Sequence, residues 1–319
     1  MSSFMGLPKE PPVLVGGDEP YPLFTRISIE TLSFCNRSCS FCPLHWSQDE
    51  RGKKRMTDEL YLKIVSELGL VGFSGVAQMF LLSEPTIDVT MLEKLRRLRS
   101  ECPRVTTYVS SNGDLFDKIM QIRGLDAAVE RVLAFYDNGL TVLNLNIYDE
   151  GEAQAERFTT LTNGLLAAGV RWTTNKYRKH SPRGKFMALT DMRIKTNPTQ
   201  SMTNVLYIKT KEERATITAP QIHCSRTQRH LVIEYDGNVP ICCAIDVTDK
   251  SLPSMGNINT QSLFEVWNGL PMMQYRWFTQ QKRRVLPGCS TCTHRMAFPA
   301  IVRKVHPTPE LEAQWEGQL

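Results

Sequence analysis

The chain has no run of roughly eighteen apolar residues that would span a membrane, and its N-terminal segment, Met1 to Tyr21, holds Pro, Gly and acidic residues where a signal peptide needs an apolar stretch. These absences argue against a membrane partner and against export, and predict a soluble, cytoplasmic protein. Internal repeats and low-complexity segments are missing too, which argues against solenoids and compositionally biased tails. What remains is 319 residues of 41% apolar content, enough to bury one large domain or one medium domain with a smaller appendage.

Nine cysteines lie at positions 35, 39, 42, 102, 224, 242, 243, 289 and 292. Structural disulfides are disfavoured in a reducing compartment, so tight groups of thiols there point to metal or redox chemistry. The formal net charge is +5. Basic residues gather at Arg51 to Arg55, at Lys176 to His180 with Arg183 and Lys185, and at Lys282 to Arg284. Such groups attract phosphate-bearing or acidic partners, yet most are solvated surface, and charge alone names no partner.

Residues 1–21 read as an extended lead-in. From Phe24 to Ser33 apolar and polar residues alternate as in a strand, and Thr57 caps a helical pattern that runs to Leu68. Strand-like segments at Gly75 to Leu82, Val105 to Ser110, Thr141 to Tyr148 and Val170 to Thr174 then alternate with helical ones at Thr90 to Arg99, Leu125 to Asp137 and Glu152 to Ala168. This order predicts an α/β fold, a parallel sheet closed partly or fully into a β/α barrel. The pattern changes after about residue 180, and a boundary is placed near 200. Leu231 to Tyr235 and Val239 to Ala244 flank Asp236-Gly-Asn238 as a hairpin would, and Gln261 to Gln281 returns to helix. A C-terminal tail is placed at 301–319, and its polar part from Pro307 to Leu319 reads as disordered or as a docking helix.

Cys35-Asn-Arg-Ser-Cys39-Ser-Phe-Cys42 follows directly on the first predicted strand, so three thiols share the loop at its C-terminal end, where barrel-like folds place their chemistry. Three thiolates can hold three irons of a four-iron cluster and leave the fourth open to an outside ligand. A zinc loop is the competing structural reading, one ligand short of a closed site.

This C-x3-C-x2-C spacing after the first strand, with Phe41 before the last Cys, resembles the signature of the radical S-adenosylmethionine (radical SAM) superfamily. The resemblance implies a partial (β/α)6 barrel over residues 22–200 and a [4Fe-4S] cluster on Cys35, Cys39 and Cys42. Its open iron would chelate S-adenosylmethionine, whose reductive cleavage gives a 5′-deoxyadenosyl radical that abstracts hydrogen from carbon. Leu82-Ser83-Glu84-Pro85 resembles the family's Gly-Gly-Glu-Pro segment, which meets the amino group of the cofactor, although the glycines are replaced. Val109-Ser-Ser-Asn-Gly113 resembles its Thr-Asn-Gly turn, with Ser111 and Asn112 placed to reach the ribose or the methionyl carboxylate. Ordinary strand-to-helix turn chemistry explains each segment alone. On the fourth strand Val142, Asn144, Asn146 and Tyr148 share one face. Two amides on an interior face need partners, which bound cofactor or substrate supplies as well as neighbouring backbone does.

Cys224, Cys242 and the pair Cys289 and Cys292 supply four further thiols, enough to ligate a second four-iron cluster or a zinc ion fully. With Gly256-Asn257 and Ser262 to Trp267, this segment resembles the twitch or shortened SPASM extension of some radical SAM enzymes. The resemblance implies one auxiliary [4Fe-4S] cluster in a hairpin-plus-helix domain over residues 201–300. Cys243 and Cys102 remain as small buried residues or as hydrogen donors to a substrate radical. His45, close after the first thiols, reads as structural or cofactor-proximal, and His223 and His230 carry no argument beyond position.

In length and cysteine layout the chain is similar to the radical enzymes of aminoglycoside pathways, some of which oxidise a carbinol while others epimerise a carbon using a cysteine donor. The expectation is therefore dehydrogenation or epimerisation of a small polar metabolite or a peptide, with a flavodoxin or ferredoxin as reducing partner. A nucleotide or nucleic-acid base is the less favoured substrate, suggested by Lys176 to Lys185. A non-catalytic iron–sulfur or zinc protein is the remaining alternative.

Overall fold

A computed structural model describes residues 20–39, 42, 44, 51–175, 179–192, 224–243, 253–281, 289 and 303–317. Its centre is a parallel sheet of seven strands: β1 (Arg26–Ile29), β2 (Val76–Gln78), β3 (Thr106–Ser111), β4 (Val142–Ile147), β5 (Arg171–Trp172), β6 (Phe186–Asp191) and β7 (His230–Ile233). They lie in the order β5-β6-β4-β3-β2-β1-β7. Between them run helices α1 (Asp58–Leu70), α2 (Met91–Glu101), α3 (Asp114–Arg123), α4 (Leu125–Asp137) and α5 (Ala153–Ala167).

Period-two alternation divides the strands into two faces. Ile27, Ile29, Ala77, Val109, Leu143, Leu145, Leu231 and Ile233 join the helix residues Leu60, Ile64, Leu95, Phe116, Phe135 and Phe158 in one hydrophobic core. The other face is the inner one. At one end Val76, Tyr108 and Val142 form a small apolar group backed by Phe80 and Phe186. Most of the rest is polar, with Ala188 and Val232 as apolar members.

Helix starts follow local chemistry. Thr57 Oγ1 accepts from the Leu60 amide at 3.2 Å to cap α1. Helix α3, which the sequence pattern did not single out, begins after Gly113, whose φ is +74°. A Cβ there would lie 2.3 Å from the Phe158 ring. Gly113→Ala therefore meets both a left-handed backbone and an occupied core, and is expected to cost about 2–4 kcal/mol. Chemical unfolding would measure this as a lower midpoint.

Three expectations need correction. The expected hairpin does not form as a strand pair: β7 pairs in parallel with β1, Ile29 facing Ile233, and β8 (Asn238–Pro240) pairs antiparallel with β9 (Ser254–Asn257). The chain does turn tightly at Asp236-Gly237, with the Glu234 amide donating to Asn238 O at 2.9 Å. An all-apolar Leu-Val-Ile run, however, is fully buried as the end strand of the large sheet. Next, the strand expected at Val170 to Thr174 shrinks to two exposed residues at the sheet edge, and β6 takes the place beside β4. Finally, the helix expected over Gln261 to Gln281 is two, α7 (Leu263–Asn268) and α8 (Leu270–Gln281). Pro271 lacks the amide that would continue α7. A capping box of Ser262 and Glu265 opens α7.

The C-terminal elements are fastened to the sheet layer. Glu67 on α1 accepts from the Leu263 amide at 2.6 Å, and Trp267 Nε1 donates to Pro22 O at 3.0 Å. The fully buried Arg276 guanidinium lies 4.0 Å from the Tyr21 ring centre and 3.9 Å from that of Trp267. Helix α6 (Arg226–Arg229) leads into β7. In the tail α9 (Pro309–Glu316) buries Trp315 against Trp277, with ring centres 5.7 Å apart.

Candidate functional site

The loop after β1 carries Cys35, Cys39 and Cys42, all partly buried. Cys42 N donates to Cys39 O at 2.9 Å, closing a turn that gathers the thiols. Burial, and then the charge of Glu84 and Cys39, pushes the Cys35 thiol up to about 11. Burial, together with Cys39 and Cys35, pushes Cys42 to about 12, and burial raises Cys39 while Arg37 opposes the rise. Thiols so placed ionise only when a metal centre stabilises the thiolate, as ligands do. Among the described residues no three His, Cys, Asp or Glu converge as ligands of a single ion do. A four-iron cluster asks instead for one thiol per iron. Phe41 and His45 lie outside the described residues.

The two segments after β2 and β3 meet beside these thiols. Glu84 is buried and holds the segments together: it accepts from Asn112 N at 2.7 Å, Ser111 Oγ at 2.7 Å, Thr86 N at 3.0 Å and Thr86 Oγ1. Burial raises its carboxyl, and those donors oppose the rise. Asn112 Nδ2 points at Cys35 Sγ, 3.7 Å away, and at Asn36 Oδ1, 2.8 Å away. Ser83 Oγ is buried with no partner among the described residues, an opening for a donor or acceptor from outside the chain. Three thiols that leave one cluster position open, with an orphaned hydroxyl nearby, fit an iron–sulfur cluster that binds a polar ligand.

Below these segments the inner face is a polar belt. Asn144 Nδ2 donates to Asn146 Oδ1 at 2.8 Å and to Ser110 Oγ at 3.1 Å, and Thr190 Oγ1 donates to Asn144 Oδ1 at 2.8 Å. Asn146 Nδ2 donates to Ser110 Oγ and Ser111 O, both at 2.9 Å. Tyr148, at the end of this row, is raised by burial and then by the charges of Cys39, Glu84, Cys35 and Cys42. On the opposite side of the sheet order Ser28 Oγ donates to Gln78 Oε1 at 3.2 Å and lies 2.9 Å from His230 Nε2.

His230 leads to the second thiol group. Its Nδ1 is 3.6 Å from Cys243 Sγ, which also accepts from Arg226 Nη1. Burial and the nearby Arg226 and Arg26 hold His230 neutral. Cys242 is raised well above the usual thiol range by burial and then by the charge of Cys243, while Arg226 opposes this and Cys289 and Cys224 add to it. Cys243, Cys289 and Cys224 lie within electrostatic reach of Cys242, and Cys292 lies outside the described residues. Cys102 is elsewhere, buried at the C-terminus of α2, where its charged neighbours are Glu101 and Arg99. The pattern on β4 foretold the amide row. Nothing local in the sequence marked His230 or Arg37, whose partners come from distant segments.

At the mouth, between β1 and β7, a third group forms. Glu30 is fully buried and takes Arg51 Nη1 at 3.0 Å and Leu82 N at 3.1 Å. Its neighbour Glu234 accepts from Asn238 Nδ2 at 2.6 Å through one oxygen, and the other has no partner among the described residues.

Residues 224–293 match the family model of SPASM, an iron–sulfur cluster-binding domain. Among solved structures the fold is similar to BtrN in complex with AdoMet and 2-DOIA, with a TM-score of 0.63 and 18% identity over 85% of this chain and 94% of that one. It is similar also to BtrN in an open conformation, with a TM-score of 0.55 and 17% identity over 85% of this chain and 92% of that one. Streptococcus suis SuiB superposes more loosely, with a TM-score of 0.45 and 13% identity over 85% of this chain and 71% of that one. No curated protein sequence matches the chain. The parallel sheet with thiols after its first strand has the fold of BtrN, and residues 224–293 behind it are similar to an iron–sulfur cluster-binding SPASM domain.

Proposed function

We propose that the chain is a radical SAM enzyme that abstracts hydrogen from a carbon of a small polar metabolite, leading to dehydrogenation or epimerisation. The observation that carries this reading is the polar belt of Ser28, Gln78, Ser110, Asn144, Asn146, Thr190 and His230. It links at one end to the first thiol group through Ser111 and Asn112, and at the other to the second through His230 and Cys243. A wall of hydrogen-bonding groups suits a hydroxyl- or amine-bearing substrate better than an apolar one. That BtrN, of similar fold, is a complex with AdoMet and a further ligand supports a shared cavity for cofactor and substrate.

Cys35, Cys39 and Cys42 would hold the cluster that binds S-adenosylmethionine, with Phe41, Ser83, Glu84, Ser111, Asn112, Asn144 and Asn146 around the cofactor. When bound and reduced, that pair supplies a 5′-deoxyadenosyl radical. Cys224, Cys242, Cys289 and Cys292 would hold the auxiliary cluster and give an electron a way out of the barrel. Cys243, which touches the inner face through His230, is the better placed hydrogen donor, and Cys102 the lesser. We place the barrel at residues 22–200 and the auxiliary domain at 201–300, with a lead-in at 1–21, a tail at 301–319 and a flavodoxin or ferredoxin as electron source in the cytoplasm.

The test is iron and sulfide content with EPR on anaerobically reconstituted, reduced protein, with and without S-adenosylmethionine. About eight irons per chain and a signal altered by the cofactor are expected. A signal that ignores the cofactor would sink the reading. Replacing Cys289 and Cys292 with Ala is expected to spare cofactor cleavage and stop substrate turnover, as product analysis would show.

A further inference from the structure

Inside the first thiol loop a single side chain is charged, that of Arg37. Its Nε donates to Asp114 Oδ2 at 2.8 Å, its Nη2 donates to Asp114 Oδ1, and its Nη1 donates to Asp149 Oδ1 at 2.6 Å. The guanidinium carbon lies 5.5 Å from the centre of the Tyr148 ring. Asp114 is the first residue of α3, and Asp149 follows β4, so one guanidinium ties the thiol loop to the loops after the third and fourth strands. Both carboxylates are themselves placed. Asp114 N donates to Asn112 Oδ1 at 3.0 Å, and Asp149 N to Gln154 Oε1 at 3.0 Å. Asn36 adds a second tie, donating to Asp114 Oδ2 at 2.9 Å.

A solvent-exposed ion pair contributes little to stability. This arrangement differs. The Arg37 side chain is 18% exposed, its grip on Asp114 is bidentate, and two carboxylates share it. Its own amide also donates to Cys35 Sγ at 3.4 Å, so the residue whose guanidinium makes the bridge also contacts a thiol of the loop. A Lys in its place would reach one carboxylate as a point charge and lose the fork.

We infer that Arg37 is a positioning residue: by bridging Asp114 and Asp149 it sets how the three-thiol loop presents its open cluster position to the segment of Ser83, Glu84 and Asn112. The inference rests on the proposed cluster and cofactor. It predicts that cofactor binding, rather than cluster assembly, depends on Arg37, because the three thiols themselves supply the iron ligands.

The experiment compares wild type with Arg37→Lys, Arg37→Ala and Asp149→Asn after anaerobic reconstitution, measuring irons per chain, melting temperature and the S-adenosylmethionine concentration that half-converts the EPR signal. Expected are iron contents near wild type in all variants and a half-conversion concentration raised about 10- to 100-fold in Arg37→Ala, nearly as much in Arg37→Lys and about 3- to 10-fold in Asp149→Asn. Unchanged cofactor affinity in the variants would overturn the inference. So would a lowered melting temperature and iron content with normal affinity in the loaded fraction, the mark of a role in stability alone. If Arg37→Ala fails to fold, Arg37→Lys and Asp149→Asn, which keep a cation or the Asp114 fork, decide by the same criteria. A wild-type signal indifferent to S-adenosylmethionine would overturn the proposed function and this inference with it, and is distinct because it is seen before any substitution.

Discussion

Replacing Cys35, Cys39 and Cys42 together with Ala is expected to abolish cleavage of S-adenosylmethionine under strong reductant and to lower the iron content from about eight to about four per chain. The size of the effect follows from the ligand count: three thiols are the minimum that holds a four-iron cluster with one position open, and no other Cys approaches this loop among the described residues. Glu84, Ser111 and Asn112 remain in place, since their hydrogen bonds to one another do not pass through the thiols. The fold should therefore survive with little change in melting temperature, because the three side chains are partly exposed and lie outside the main core. Liberated 5′-deoxyadenosine and iron are the quantities to measure. Retained cleavage would refute the cluster assignment. Four irons plus a zinc in the wild type would leave the radical step and remove the auxiliary electron path.

Much of this site was legible in the sequence because its signals are local. The thiols of the first loop stand within eight positions of one another at the end of a recognisable strand, and the alternation from Val142 to Tyr148 names the inner face without reference to any other segment. The second thiol group required the resemblance, since Cys224, Cys242 and Cys289 are far apart in the sequence. What stayed hidden is what depends on strand neighbours. β6 reads poorly because Phe-Met-Ala-Leu-Thr-Asp mixes apolar and polar residues on both faces, and its burial comes from β4. β7 was assigned to a local hairpin because Asp-Gly-Asn is a strong turn signal. That turn forms, yet the strand before it gains more by covering β1. His230 carried no meaning until that pairing set it beside Ser28, and Arg37 none until two loops brought carboxylates to it.

The same pairing produces the second large effect, at Glu234. Register places it next to Glu30 at the mouth of the sheet, two carboxyl groups with Arg51 donating to both oxygens of Glu30. Burial raises Glu30, and Arg51 and the Leu82 amide work against the rise. Glu234, 5% exposed, is pushed up to about 8 by burial, with Asn238 opposing and the charges of Glu30 and Asp236 adding to the rise. The folded chain thus keeps a proton on Glu234 up to about pH 8, whereas the unfolded chain releases it near the ordinary carboxyl value of 4.5. Between those values the folded state binds more protons, so stability falls as pH rises, fully retained below about 4.5 and lost through about 8. Glu234→Gln removes the titration while its amide oxygen still accepts from Asn238 and its amide NH2 can donate toward Glu30. The variant should match wild type at pH 5 and exceed it at pH 8.5 by on the order of 3 kcal/mol, roughly 5 °C in melting temperature. Thermal unfolding of both proteins across that range measures it. Parallel pH profiles would mean that Glu234 is already ionised in the folded chain, and that some group reaches its second oxygen.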